Sequence, residues 1–106
     1  MSLQLVRTND DIHEAVRTWN RDHIMARERY GQINEWDTSN VTNMMNLFAG
    51  LNDFNCDISG WNVANVTTME GMFSHARTFN QPLEQWNVTN VTTMEGMFSH
   101  ARTFNQ

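Results

Sequence analysis

Trp61-Asn62-Val63-Ala64-Asn65-Val66-Thr67-Thr68-Met69-Glu70-Gly71-Met72-Phe73-Ser74-His75-Ala76-Arg77-Thr78-Phe79-Asn80-Gln81 decides how this chain is read. The same stretch returns at residues 86–106 with one change, Thr89 for Ala64, so 20 of 21 positions match. A more divergent copy precedes it: residues 36–60 share 8 of 25 positions with residues 61–85. Those eight are Trp, Asn, Val, Thr, Met, Phe, Phe and Asn, which are mostly apolar or turn-forming, as the inward residues of a stacked coil should be. Self-similarity at a fixed period of 20–50 residues marks a repeat architecture. Twenty-five residues is too short for a two-helix repeat or a propeller blade and lies in the range of leucine-rich-type coils.

The period supplies the parts of such a coil. Ile58, Trp61 and Val63, like Leu83, Trp86 and Val88, predict a short strand. Asn65 and Asn90 predict a tight corner. Thr67-x-x-Glu70 and Thr92-x-x-Glu95 read as capping boxes opening one helical turn at 69–73 and 94–98. Pro82 fixes the chain before the next strand. The predicted core columns are Ile33/Ile58/Leu83, Trp36/Trp61/Trp86, Val41/Val66/Val91, Met44/Met69/Met94, Leu47/Met72/Met97, Phe48/Phe73/Phe98 and Phe54/Phe79/Phe104. Asn40, Asn65 and Asn90 are expected to be buried at the corner and bonded to backbone, with Asn55, Asn80 and Asn105 alike at the return.

Residues 1–32 break the period and predict an N-terminal helical cap, leaving about three repeats over 33–106 (36–60, 61–85 and 86–106). Asn9-Asp10-Asp11 is an N-cap cluster. Ile12, Ala15, Val16 and Trp19 follow at helical spacing. A second helix is expected from about Asp22 to Tyr30, with Ile24, Met25 and Tyr30 as its apolar side and Gly31 as its stop. The first strand is expected at 33–38. The fold class is therefore an α/β repeat: a short right-handed leucine-rich-repeat-type solenoid with one parallel sheet and a helical cap.

The motif Trp36-Asp37-Thr38-Ser39-Asn40-Val41-Thr42-Asn43-Met44, then Leu47-Phe48 and Phe54-Asn55, resembles the BspA-like leucine-rich repeat of bacterial surface proteins and mycoplasma lipoproteins. The resemblance covers residues 33–106. It implies a right-handed solenoid at the cell surface or secreted, used in adhesion or recognition, with no catalytic residues. The near-identity of the last two copies points to recent duplication or deliberate repetition of one unit.

Composition narrows the function classes. Forty per cent of the residues are hydrophobic, which suits a folded domain. Twelve acidic residues against seven basic ones, all Arg, give a net charge of −5 and argue against nucleic-acid binding. No stretch is long and apolar enough for membrane insertion. Residues 1–15 show no signal-peptide pattern. Cys56 is the single cysteine, so neither an internal disulfide nor a cysteine metal cage is expected. His75 and His100 share a phase but lack a third ligand. Asp37, Asp53 and Asp57 do not recur in later copies, so no calcium ladder is expected. The four Asn-x-Thr sequons read as corners and caps. No nucleophile, base and acid form a set, so no enzyme activity, catalytic residue, metal or cofactor is expected.

Two functions remain. The first is a non-enzymatic module for protein interaction or surface adhesion, with Asp37, Asn62 and Asn87 as candidate ligand-facing positions. The second is a structural or self-assembling unit. Trp86, Val91, Met94, Met97, Phe98 and Phe104 lie in the last coil with no coil beyond them. Repeat ends need a cap for solubility. These six residues are therefore the expected self-association face, joining two copies as an isologous homodimer.

Overall fold

Trp19 and Trp36 meet edge to face, 6.4 Å apart, where the N-terminal helices join the repeats. The computed structural model describes residues 5–106, so residues 1–4 of the expected cap lie outside the described residues. Helix α1 (Ile12–Arg21) buries Ile12, Ala15, Val16 and Trp19, the spacing its sequence predicts. Asp22 then accepts a hydrogen bond from the Met25 amide and opens α2 (His23–Tyr30). Gly31, at φ 83°, ends it. Of the expected apolar side of α2, Tyr30 is half-buried against the core, whereas Ile24 is 69% and Met25 41% exposed, and Ala26 is the fully buried residue. Arg7 is buried beneath this cap, its guanidinium 4.7 Å from the Tyr30 ring centroid and 5.2 Å from that of Trp36. Cationic groups over aromatic faces are favoured when desolvated.

Beyond the cap the chain winds into two coils of 25 residues, 36–60 and 61–85, and a third of 21, 86–106, stacked one on the next. The core columns occur as expected in the first two coils. Met44, Met69, Val41, Val66, Phe48 and Phe73 are fully buried, and Trp36 and Trp61 are 3% exposed. Phenylalanine rings stack along the axis, Phe48 on Phe73 at 5.3 Å and Phe73 on Phe98 at 5.4 Å, nearly parallel. Thr38, Val63, Gly71 and Ala76, outside the predicted columns, are buried as well.

The leucine-rich-repeat solenoid with one parallel sheet is not what these coils form. Among the described residues there is no strand and no sheet. Apart from two short helices and a 3₁₀ turn at Ile33–Glu35, the only paired positions are the isolated parallel bridges Val6–Asp37, Asn43–Thr68 and Thr68–Thr93. The expected strands at 58–63 and 83–88 are chains of tight turns: Trp61 bonds back to Ile58, Val66 to Val63, Trp86 to Leu83 and Val91 to Val88. The expected first strand at 33–38 holds the 3₁₀ turn instead.

The coil-to-coil contact falls where helical turns were expected. Met44, Asn46, Phe48 and Gly50 donate to the carbonyls of Thr68, Glu70, Met72 and Ser74 at 2.8–3.0 Å. Met69, Gly71, Phe73 and His75 donate in the same way to Thr93, Glu95, Met97 and Ser99. Intervening amides turn back on their own coil, Leu47 to Met44 and Ala49 to Asn46. Alternate amides thus serve the next coil and the local turn. The cause is visible in the dihedrals. Asn46, Gly71 and Gly96 have φ of 57°, 62° and 65°, and Gly50, His75 and His100 have φ of 77°, 60° and 59°. A left-handed residue in every fourth place breaks the extended backbone that a strand requires.

The capping boxes are corrected too. The Thr67 and Thr92 hydroxyls donate to the Thr42 and Thr67 carbonyls of the preceding coil, and Glu70 N–H reaches the Thr68 hydroxyl. Asn40, Asn65 and Asn90 are exposed rather than buried. Asn65 and Asn90 nonetheless donate to the Ser39 and Ala64 carbonyls one coil back, at 2.7 and 2.8 Å. At the return, Asn55 and Asn105 are likewise exposed and Asn80 is half-buried, and the Asn55 and Asn80 side-chain oxygens accept from the amides of Asn80 and Asn105.

Candidate binding face

The two ends of the stack differ chemically. At the first coil, Asn9 stands in for a preceding coil. Its side-chain oxygen accepts from the Thr42 and Asn43 amides at 2.9 and 3.2 Å, and its amide donates to the Thr42 hydroxyl. In later coils a backbone carbonyl takes the bond from that threonine amide, Thr42 O from Thr67 and Thr67 O from Thr92. His13 of α1 contacts the Met45 carbonyl at 2.9 Å. The sequence reading made Asn9 a helix cap and missed this role. Its one visible signal is that the repeat begins without a partner for Thr42.

The third coil has no such cover among the described residues. Met94 is 43% exposed where Met44 and Met69 are sealed, and Val88 is 37% exposed where Val63 is buried. A concavity of about 380 Å³ opens there, with Glu84 and Gln106 among its lining residues. Five of the six expected self-association residues line it: Trp86, Met94, Met97, Phe98 and Phe104. Val91 is half-buried and does not. Along this face the amides of Met94, Gly96, Phe98 and His100 make no hydrogen bond to another described group. Their equivalents Met69, Gly71, Phe73 and His75 are all paired. The face therefore combines an apolar floor with four N–H donors spaced two residues apart. Unpaired donors on such an edge are a ready site for another chain.

That pattern gives no support to the expected two-fold dimer. A second copy turned face to face brings its own donor row. The groups that by repeat would accept from a following coil are the carbonyls of Leu83, Thr89, Thr92 and Arg102 and the side-chain oxygen of Asn105, which are three to ten residues apart. Neither set matches four donors at two-residue spacing.

Asp37, Asn62 and Asn87 are exposed, as a ligand-facing residue must be. Their side-chain oxygens are already engaged in local turns. Asp37 accepts from the Ser39 amide and hydroxyl, Asn62 from the Ala64 amide, and Asn87 from the Thr89 amide and hydroxyl. The Ser39 bonds hold the Asp37 carboxyl below the ordinary aspartate range, and Ser59 does the same for Asp57. These positions are turn-formers shared by the coils, which explains their recurrence without a ligand.

His75 and His100 stack at 4.5 Å and 15° on the exposed surface. No group of three or more His, Cys, Asp or Glu side chains that could hold a metal occurs among the described residues. Cys56 is half-buried, and burial pushes its thiol up against a smaller opposing effect of the Trp19 indole. No helix among the described residues is long and apolar enough to cross a membrane.

No curated protein and no solved structure matches the chain. A family match, DUF285, described as Mycoplasma protein of unknown function, spans residues 20–106. That description assigns no adhesion role and no location, so the surface adhesion implied by the BspA-like resemblance gains nothing from it. With most of its residues matched, the chain belongs to the DUF285 family.

Proposed function

We propose that the chain is a non-enzymatic protein-interaction module that binds a polypeptide segment on the face of its third coil. The observation that carries this reading is the row of four unpaired amides, Met94, Gly96, Phe98 and His100, beside the apolar floor of Trp86, Met94 and Phe104. Main-chain donors supply affinity for an extended or coiled segment, and the apolar hollow supplies selectivity. The sequence resemblance to BspA-like surface repeats supports binding rather than catalysis, at the level of repeat spacing alone.

Peptide-display selection against the whole chain tests the reading. Selected peptides should lose at least about tenfold in affinity, the equivalent of about 1.4 kcal/mol, against Met94→Glu and Val88→Glu variants. Both substitutions are at exposed positions and leave the first two coils intact. An empty selection, or binders indifferent to both variants, contradicts the proposal.

A further inference from the structure

We infer that the crevice between the helical cap and the first coil binds an uncharged, hydroxyl-rich small molecule of the saccharide class. This crevice is separate from the third-coil face and shares no residue with it.

The cap meets the first coil along two edges, and one of them is closed. There Asn9 supplies Thr42 and Asn43 with the partners that a coil would supply. The other edge is the return of the first coil, residues 52–56. Where the second coil meets this return, three bonds join them. The Thr78 hydroxyl donates to Asn52 O at 2.8 Å, the Asn80 amide to the Asn55 side-chain oxygen at 2.8 Å, and the Gln81 carboxamide to Asn55 O at 2.9 Å. One period earlier the corresponding residues are Asp53, Asn55 and Cys56. Toward the cap they make no such bonds. The Asn55 amide has no acceptor among the described residues, and the Asp53 side chain has neither a hydrogen bond nor an ion pair there. A crevice of about 330 Å³ is left, with Trp19, Asn20 and His23 of the cap and Asp53, Asn55 and Cys56 of the first coil in its lining. One water takes up about 30 Å³, and small-molecule sites begin near ~300 Å³.

A buried donor on this lining lacks a partner. The indoles of Trp36, Trp61 and Trp86 donate to Gly31 O, Ile33 O and Ile58 O at 2.8–3.1 Å. Trp19 is buried like them, at 4% exposure, yet its indole N–H makes no hydrogen bond among the described residues. The Cys56 thiol feels the indole but does not accept a hydrogen bond from it, and sulfur is a weak acceptor. A buried Trp N–H ordinarily finds a partner, and an orphan calls for an explanation. Here the orphan belongs to a ring that walls a crevice roomy enough for a ligand.

The lining fixes the class of ligand. The Trp19 indole N–H and the Asn55 amide require acceptor oxygens. The Asp53 carboxylate requires a donor. The Asn20 carboxamide, with no hydrogen bond of its own among the described residues, takes both. A hydroxyl donates and accepts at one atom, so neighbouring hydroxyls match this mixed set. A carboxylate or phosphate brings acceptors alone, and the lining holds Asp53 with no Arg or Lys to meet a negative charge. The exposed His23 ring, stacked on Trp19 at 5.0 Å and 19°, adds an aromatic surface for the C–H side of a sugar ring.

NMR titration of the isotope-labelled 106-residue chain with glucose, galactose, N-acetylglucosamine and maltose, each up to about 50 mM, tests this. At least one sugar should shift the Trp19 indole N–H and the Asn55 amide to saturation. The Trp36, Trp61 and Trp86 indole resonances, whose N–H groups are already paired, should stay in place. Asp53→Ala and Asn20→Ala, both at exposed positions, should each weaken that affinity at least about tenfold. The same three indole resonances, unmoved in the variants, report that the fold is intact. Glucuronate or galacturonate should bind more weakly than its neutral parent sugar. No Trp19 shift with any of the four sugars, an affinity that both variants leave unchanged, or tighter binding of the uronate overturns the inference.

Discussion

Replacing Trp61 probes the axis of the stack, because its side chain joins two coils by packing and by a hydrogen bond. It is 3% exposed, stacks on Trp36 at 6.0 Å and 18°, and lies 5.7 Å from Phe48. Its indole N–H donates to the Ile33 carbonyl at 2.8 Å. Deleting a buried Trp to Ala removes its transfer free energy and leaves a cavity, together about 3–5 kcal/mol. Trp61→Phe separates the two contributions. It keeps most of the ring contact and loses the bond, about 0.5–1.5 kcal/mol. The lower half of that range applies, because Ile33 O also accepts from the Trp36 amide at 3.3 Å and is not left unpaired. Urea unfolding followed by circular dichroism at 25 °C gives both values. The Ala variant should lose at least about 3 kcal/mol and the Phe variant about 1, with unchanged urea slopes. An Ala cost below about 1 kcal/mol, the size of an ordinary surface change, would refute the placement of Trp61 between coils.

Two glycines of identical local sequence should respond differently. Gly71→Ala pays about 1–2 kcal/mol for a left-handed backbone and also sets a Cβ against the Asn46 side-chain oxygen, whereas Gly96→Ala, with open space around it, pays the backbone cost alone. Thermal melts should rank Gly71→Ala below Gly96→Ala, and equal losses would count against the stacking of position 46 on 71. Asn65→Leu removes an exposed inter-coil bond to Ser39 O and should cost about 0.5–1.5 kcal/mol, lowering the melting temperature by a few degrees; an unchanged melt contradicts the bond. The Asp37 and Asp57 carboxyls are held below the ordinary aspartate range by Ser39 and Ser59, so their contribution to stability is present above about pH 4 and is lost as pH falls through their folded values. Ser39→Ala with Ser59→Ala should flatten the acid limb of a stability profile, and a profile identical to the parent's would show that these turns carry no such linkage.

The columns were legible in the sequence because burial and repeat period coincide. A residue that recurs every 25 positions and is apolar each time has one place to go, so Met44, Phe48 and their successors were found. Helix α1 was legible for the same reason, through Ile12, Ala15, Val16 and Trp19. The backbone path was not. Trp61-x-Val63 alternates as a strand does, yet the chain turns at Val63 and Val66, because turn bonds three residues apart also place Trp and Val inward. Thr67-x-x-Glu70 imitates a capping box, but its hydroxyl serves the neighbouring coil, and only the stacked structure supplies that acceptor. The left-handed positions gave a partial signal, since Asn46, Gly71 and Gly96 are residue types that tolerate positive φ. His75 and His100 gave none. For the candidate site, the apolar floor was legible as an unmatched set of columns, whereas the donor row beside it depends on which amides point outward.

Native-state amide exchange on the 106-residue chain tests the central claim most directly, that alternate amides of each coil bond to the coil that follows. The amides of Met44, Asn46, Phe48 and Gly50, and of Met69, Gly71, Phe73 and His75, should be protected. Those of Met94, Gly96, Phe98 and His100 should exchange at least about 100-fold faster, although eight of these residues belong to segments of the same sequence. Equal protection in the second and third coils, or fast exchange in all three, would contradict it.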